Sequence, residues 1–484
     1  MKTLILPFLC LAALFHATAA GRPNIIFVMA DDMGWGQTGY RGHPLLKTPN
    51  LDAMAANGLR FERFYAGNPV CSPTRASVLT GRSNDRAGVL SHGYALRLQE
   101  KTIAQALKSA GYATAHFGKW HLNGYKGPGA PVLKDDPRSP GAFGFDEWVS
   151  ATNFIDMDPW LGRMGAPEQI TGDSSEVIVA EASKFIERKK DGPFFAIIWY
   201  GTPHSPFRAL EADKAPFAHL DEASANHHGE LVAMDRSIGA LRKKLRDLGI
   251  ADNTLLVFNS DNGGLAGIQP GTTGGLRGNK GTVYEGGLRV PGIMEWPAVI
   301  KPGRVTSFPA STMDLFPTVA DIAGLPETCF IQPVDGASLK PLLAGTESGP
   351  RVKPIPFRYG RKAALVDNMH KILTDNLDGG AFALYDLESD PHETRDLSAD
   401  MPELFEKMKK DLLAWSAGVD ASFAGKDYPE GAVSPADPVP QNWHEAEPYL
   451  KLAGLWKGYW AYDSHINRQA KGAAKPGAKK KRQP

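Results

Sequence analysis

Four stretches of the chain repeat one pattern, a short, nearly unbroken apolar run that ends abruptly in polar residues. "NIIFVMADD" (24–32) ends in Asp31 and Asp32, and "YATAHFGKWHL" (112–122) in Lys119 and His121. "PFFAIIWYGTPHSPF" (193–207) runs into His204, and "NTLLVFNSDNGG" (253–264) into Asp261 and Asn262. Apolar runs without alternation predict strands buried on both faces of a parallel sheet. Helical periods lie between them. "TPNLDAMAANGLRF" offers Thr48 as a cap, Pro49 for the first turn and Gly58 as a stop. "TIAQALKSAGY" repeats the arrangement with Thr102 and Gly111, and "ELVAMDRSIGALRKKLRDLGI" (230–250) is a longer amphipathic helix closed by Gly249. This alternation predicts an α/β fold, a large mixed, mostly parallel sheet sandwiched by helices. Ligands of open α/β sheets bind beyond the carboxyl ends of the strands, where all of these polar residues fall.

The pattern changes near residue 350. "KPIPFRYGRKAALVDNMHKILTD" and "AFALYDLESDPHETRDLS" read as short antiparallel strands and turns, and "PELFEKMKKDLLAWSAGV" as an amphipathic helix. The expected division is a catalytic domain at 21–350 and a smaller C-terminal α+β domain at 351–465. No repeat period is evident.

Composition is that of a globular protein: 484 residues, 42% hydrophobic and 22% charged. The net charge of +1 gives no reason to expect a nucleic-acid partner. The last fourteen residues carry six basic residues and no acid, and 466–484 reads as a disordered, solvated basic tail. Residues 1–20, "MKTLILPFLCLAALFHATAA", have the lysine, apolar centre and small-residue end of a secretory signal. No other run is long enough for a transmembrane anchor. The expected location is therefore outside the cytoplasm, periplasmic or secreted. Cleavage near Ala20 removes Cys10 and leaves Cys71 and Cys329, which is no disulfide framework for a chain of this size.

The strand-end residues imply chemistry. Asp31–Asp32 and Asp261–Asn262 are two pairs of oxygen ligands. Adjacent carboxylates repel unless a cation lies between them, and an all-oxygen set suits Ca²⁺, with Mg²⁺ as the alternative. Lys119, His121, His204 and Lys280 at converging ends suit an anion site with proton donors and acceptors. Lys280 lies in "GGLRGNKGTVYEGGLRVP", whose glycines lack phosphate-loop spacing. "CSPTRASVLTG" (71–81) should open a helix capped by Cys71 or Ser72, with Pro73 in its first turn. A helix N-terminus attracts anions and activates a thiol, yet soft sulfur is a poor companion for a hard, oxygen-bound cation.

"CSPTR" followed by "ASVLTGR" resembles the C-x-P-x-R signature of the type I sulfatases, of the alkaline-phosphatase-like superfamily. "DD" after the first strand, "TPNLD", "GKWHL", "PHSPF", "SDNGG", "YEGGLRVP" and "LYDLESDPHETRDLS" are similar to the family in the same order, over roughly residues 23–400. The resemblance implies that a maturating enzyme oxidises Cys71 to formylglycine, which places oxygen beside Asp31, Asp32, Asp261 and Asn262 around Ca²⁺. It implies that one hydroxyl of the hydrated aldehyde, assisted by Arg75, attacks sulfur in line. His204 would protonate the departing alcohol. His121 would take a proton from the second hydroxyl, expelling sulfate and restoring the aldehyde. Lys119 and Lys280 would hold the sulfate oxygens.

A polar residue after "GFDEW" often completes the family's site, and here Ser150 and Asn153 compete for that place. The stretch 150–165 also offers Asp156, Asp158, Trp160 and Arg163 for a sugar. The expected substrate is a sulfate ester, of a carbohydrate or an aryl alcohol. The alternatives are a phosphodiester or phosphonate monoester hydrolase on the same fold, and a non-catalytic binder of sulfated glycans should Cys71 stay unmodified.

Overall fold

A computed structural model describes residues 21–347 and 349–463. The signal segment, Cys10 and the basic tail lie outside the described residues. The apolar runs form the centre of an 11-stranded sheet. Five strands lie side by side and parallel, in the order Thr254–Ser260, Asn24–Ala30, Phe194–Trp199, Ala113–Lys119 and Glu147–Ala151. Arg289–Glu295 continues the sheet antiparallel beyond Thr254–Ser260, followed by Leu59–Tyr65. On the other side Trp160–Arg163 and Ala166–Gln169 pair antiparallel.

The unbroken hydrophobicity of these strands follows from their two buried faces. In Asn24–Ala30, Ile25, Phe27 and Met29 enter one core, whereas Ile26, Val28 and Ala30 enter the other. Successive side chains of a strand point to opposite faces, so a polar residue at either parity would be buried in apolar surroundings. Each fully buried Ile, Val or Phe contributes about 1.5–3 kcal/mol. The helices Ser174–Lys189 and Glu222–Asp247 cover one face, and Ile103–Ser109 and Leu315–Ala323 the other.

Several helix ends differ from the sequence expectation. Thr102 and Gln105 do make a reciprocal capping box. The side chain of Thr48 does not cap its helix; its hydroxyl donates to Asp52 instead. Gly58 ends the helix Pro49–Asn57 in extended conformation (φ −136°). Its lack of a side chain is needed for packing, since a Cβ there would lie 2.3 Å from the Met294 carbonyl oxygen. The long amphipathic helix begins at Glu222, eight residues before the expected start, with Asp221 accepting from the Ser224 N–H. Its first turns are too polar for the apolar period to show.

The C-terminal strands Ile355–Tyr359, Lys362–Asp367, His370–Thr374 and Phe382–Asp386 form a four-stranded antiparallel sheet. The helix Pro402–Phe423 packs on it through Met408 and Leu412. Lys371, fully buried, joins this sheet to the large domain by an ion pair of 2.9 Å to Glu285, and a second pair of 2.9 Å holds Glu393 of its own domain. The chain then returns to the large domain. Gln441–Asn442 pairs with Tyr125–Lys126, and Trp443, Tyr449, Trp456 and Tyr462 pack with Ala130 and Trp160.

Candidate active site

The helix Cys71–Thr80 has all ten of its residues buried. Its N-cap position is Val70, so neither Cys71 nor Ser72 caps it. The Ser72 hydroxyl instead accepts a hydrogen bond from the Gly93 N–H (2.9 Å), which pins the turn at 91–94 against the helix start. Gly81 ends the helix in the left-handed conformation (φ 69°), its N–H donating to the Ser77 carbonyl. Cys71 and Cys329 are both free, and Cys71 is wholly buried.

Cys71 lies at the carboxyl ends of the parallel strands. Ligand atoms of Asp31, Asp32, Cys71 and His204 all fall within 4.8 Å of one another. Asp261 and Asn262 join this group by hydrogen bonds. The Asp32 N–H donates to Asp261 Oδ1 (3.1 Å), and Asn262 Nδ2 donates to Asp32 Oδ1 (2.8 Å). Three cations balance the three buried carboxylates. Lys119 Nζ is 2.7 Å from Asp31 Oδ2, and Lys280 Nζ is 2.6 Å from Asp32 Oδ1. Arg75 donates to Asp261 (2.7 Å) and to the Lys119 carbonyl (3.2 Å), with its guanidinium 5.1 Å from the Trp199 ring centroid. The glycine-rich loop reaches the site because the Lys280 N–H donates to Gly264 O and the Gly281 N–H to Pro69 O, just before Cys71.

Burial opposes ionisation of all three acids, and neighbouring charges decide the outcome. Against its burial, Asp31 is held below the usual carboxylate range mainly by Lys119. Asp32 is lowered likewise, mainly by Lys280. Asp261 is raised, because burial and the Asp31 charge outweigh Arg75. His121 is buried with neither ring nitrogen hydrogen-bonded, and burial and the Lys119 charge push it well below 6.5. Asp32 (φ 70°) and His121 (φ 55°) both hold the left-handed conformation, a strained choice for residues with a Cβ and one that clusters at functional sites. His204 stacks on Phe154 with ring centroids 4.6 Å apart, and its Nε2 lies 3.7 Å from Asp32 Oδ2.

The donor set fits a hard divalent cation. The site is rich in oxygen, and Asp31 Oδ1 and Asn262 Oδ1 are buried without a hydrogen-bond partner. Thiol sulfur is the one member that does not match.

His92 belongs to this site and has no counterpart in the sequence reading. Its Nδ1 lies 3.7 Å from Cys71 Sγ, and burial and the Lys280 charge lower its pKa to about 4. "SHGY" lies on no strand end. Its position depends on the Gly93–Ser72 hydrogen bond, which the local sequence does not announce.

The stretch 150–165 is used mostly for packing. Ser150 Oγ is 2.8 Å from His116 Nδ1, within the sheet. Asn153 donates to the Gly127 carbonyl (2.7 Å). Arg163 pairs with Glu168 and Glu181, Asp158 accepts from the Gly172 N–H, and Trp160 packs edge-on against Trp456. Asp156 is buried, its Oδ1 accepts from the Met157 N–H (2.7 Å), and its Oδ2 has no hydrogen-bond partner.

The comparisons with known proteins place this mostly parallel sheet, with acids, lysines and imidazoles converging at its strand ends, among the hydrolases of the alkaline-phosphatase-like superfamily. Within that class the chain belongs to the sulfatase family, the sulfuric ester hydrolases. The sulfatase family profile matches residues 23–325, and a second profile, the C-terminal region of N-sulphoglucosamine sulphohydrolase, matches 278–417. Human arylsulfatase A is 33% identical over 446 residues, covering 83% of this chain and 84% of that protein. Dog N-acetylgalactosamine-6-sulfatase is 36% identical over 381 residues, covering 70% of each. Among solved structures, Ps i-CgsB in complex with k-i-k-neocarrahexaose superposes with a TM-score of 0.73 at 27% identity, over 91% of this chain and 99% of that one.

Proposed function

We propose that the protein hydrolyses sulfate esters of carbohydrates, using as nucleophile a formylglycine made from Cys71 by a maturating enzyme. The carrying observation is the place of Cys71, buried at a helix start within 4.8 Å of two aspartates and His204. Oxygen at position 71 would remove the one mismatch in an otherwise hard donor set. Asp31, Asp32, Asp261, Asn262 and residue 71 would hold Ca²⁺, which when bound supplies positive charge to the nucleophile and the sulfate.

The residues divide the remaining work by chemistry. Arg75, one turn into the helix from residue 71, would assist the nucleophile and meet a sulfate oxygen. Lys119 and Lys280 bind the other sulfate oxygens and offset the charge that builds as the S–O bond to the alcohol breaks. His204 gives its proton to that departing oxygen. His121, held neutral by its burial, accepts the proton released when residue 71 sheds sulfate. His92 is in reach of the nucleophile from the side. A carbohydrate substrate is supported by two of the similar proteins, one named N-acetylgalactosamine-6-sulfatase and one whose crystal structure is in complex with k-i-k-neocarrahexaose. Export follows from the N-terminal signal, and no helix among the described residues is long and apolar enough to cross a membrane.

The test is mass spectrometry at position 71 combined with sulfate release from defined sulfated saccharides. Formylglycine with sulfate release, both lost in Cys71→Ala, is the expected result. Full activity with an unmodified thiol would refute the mechanism. Faster turnover of phosphate diesters than of any sulfate ester would transfer the assignment to the phosphodiesterase reading.

A further inference from the structure

His204 is followed at four residues by Arg208, an exposed arginine with an unusual setting. Among the described residues its guanidinium makes no salt bridge and donates no hydrogen bond. It is held instead over the ring of Trp460, 4.7 Å from the centroid. Trp460 belongs to the C-terminal segment that returns to the large domain. That segment is anchored beside the site, where the Tyr459 hydroxyl donates to the Met157 carbonyl (3.2 Å). Phe154, three residues before Met157, is the residue stacked on His204. Of the loops beside His204, 154–157 thus meets Tyr459 and 204–208 meets Trp460.

Among the described residues neither nearby acid forms an ion pair with the Arg208 guanidinium, although its charge reaches Asp156. Glu230 is fully buried and accepts the Arg208 backbone N–H with one oxygen, while its other oxygen has no hydrogen-bond partner. Asp156 is buried as well, and burial pushes both carboxyls well above their usual range. A guanidinium presented by stacking on Trp460 and left without an ion pair is ready for an external anion, and its planar fork matches sulfate or carboxylate.

We propose that Arg208, presented by Trp460, forms a binding subsite for a second anionic group on the saccharide, on the leaving-group side of the scissile bond next to His204. This rests on the sulfatase reading above and adds the substrate class, a saccharide bearing at least two anionic groups. Small monoanionic aryl sulfates do not reach the subsite.

The experiment compares matured wild-type protein with Arg208→Gln on 4-nitrophenyl sulfate, a monosulfated disaccharide and its disulfated counterpart. The wild type should prefer the disulfated disaccharide. In the variant that preference, as a ratio of kcat/KM values, should fall about tenfold, the loss of one charge-assisted hydrogen bond. Turnover of 4-nitrophenyl sulfate should be unchanged. Trp460→Ala should lower the preference in the same direction. An unchanged preference in Arg208→Gln, or equal losses on all three substrates, overturns the subsite. Failure of the sulfatase reading looks different, since the wild type then releases no sulfate from any of the three. In that event calorimetric binding of the disulfated disaccharide decides, with weaker binding by Arg208→Gln supporting the subsite and equal binding overturning it.

Discussion

Lys119→Met removes the partner of a carboxylate that has no access to water. Asp31 and Lys119 are both fully buried and 2.7 Å apart; Asp31 Oδ1 makes no hydrogen bond, and the Arg75 guanidinium, already bound to Asp261, stands off at 3.7 Å from it. Breaking a buried pair on one side typically costs about 3–5 kcal/mol, because the remaining charge is stranded. For a chain of 484 residues the unfolding entropy is roughly 1 kcal/mol per degree, so the melting temperature should drop by roughly 3–5 °C. That applies to chelator-treated protein. With saturating Ca²⁺ the Asp31 charge has a second partner, and the drop should shrink to less than half. Thermal unfolding of wild type and variant, each with chelator and with Ca²⁺, reads both effects. Turnover of a sulfate ester by the Ca²⁺-loaded variant should fall about 10²–10³-fold, the loss of one preorganised charge at the sulfate. An equal drop in melting temperature with and without Ca²⁺ would refute the idea that Asp31 is shared between lysine and metal. A shift below about 1 °C in chelator would refute the stranded charge itself.

Two further predictions concern stability. Lys371→Met leaves Glu285 and Glu393 buried face to face and should destabilise by about 3–5 kcal/mol in urea unfolding; restoration by adding Glu285→Gln and Glu393→Gln checks the cause, and no restoration denies it. His227 is fully buried, and burial lowers its pKa to about 3, so from pH 6.5 down towards 3 the unfolded chain takes up a proton that the folded chain refuses. Stability is therefore intact above pH 6.5 and lost at about 1.4 kcal/mol per pH unit below it, and His227→Gln should lose about 2–3 kcal/mol less than wild type between pH 6.5 and 4.5.

The parts of the site that were legible in the sequence share a cause. Asp31, Lys119, His204 and Asp261 follow apolar runs, and a parallel sheet delivers the ends of such runs to one edge whatever the rest of the chain does. His92 and Arg208 depend on contacts that no local pattern encodes, a hydrogen bond from Gly93 to Ser72 and a ring supplied from residue 460. Ser150 and Arg163 had suitable chemistry but different partners, because His116 and Glu181 reached them first. The return of 441–463 to the large domain was equally hidden. Its aromatic residues have no period, and their partners lie some three hundred residues earlier.

The complete burial of the helix Cys71–Thr80 sets a clock as well as a position. No atom of Cys71 is open to solvent once the large sheet and the helices around it have closed. Any enzyme that rewrites this side chain must meet it while 71–80 is still an extended peptide. If Cys71 is modified as proposed, the rate at which the domain closes competes with the rate of modification, and variants that fold faster should emerge with more of position 71 still a thiol.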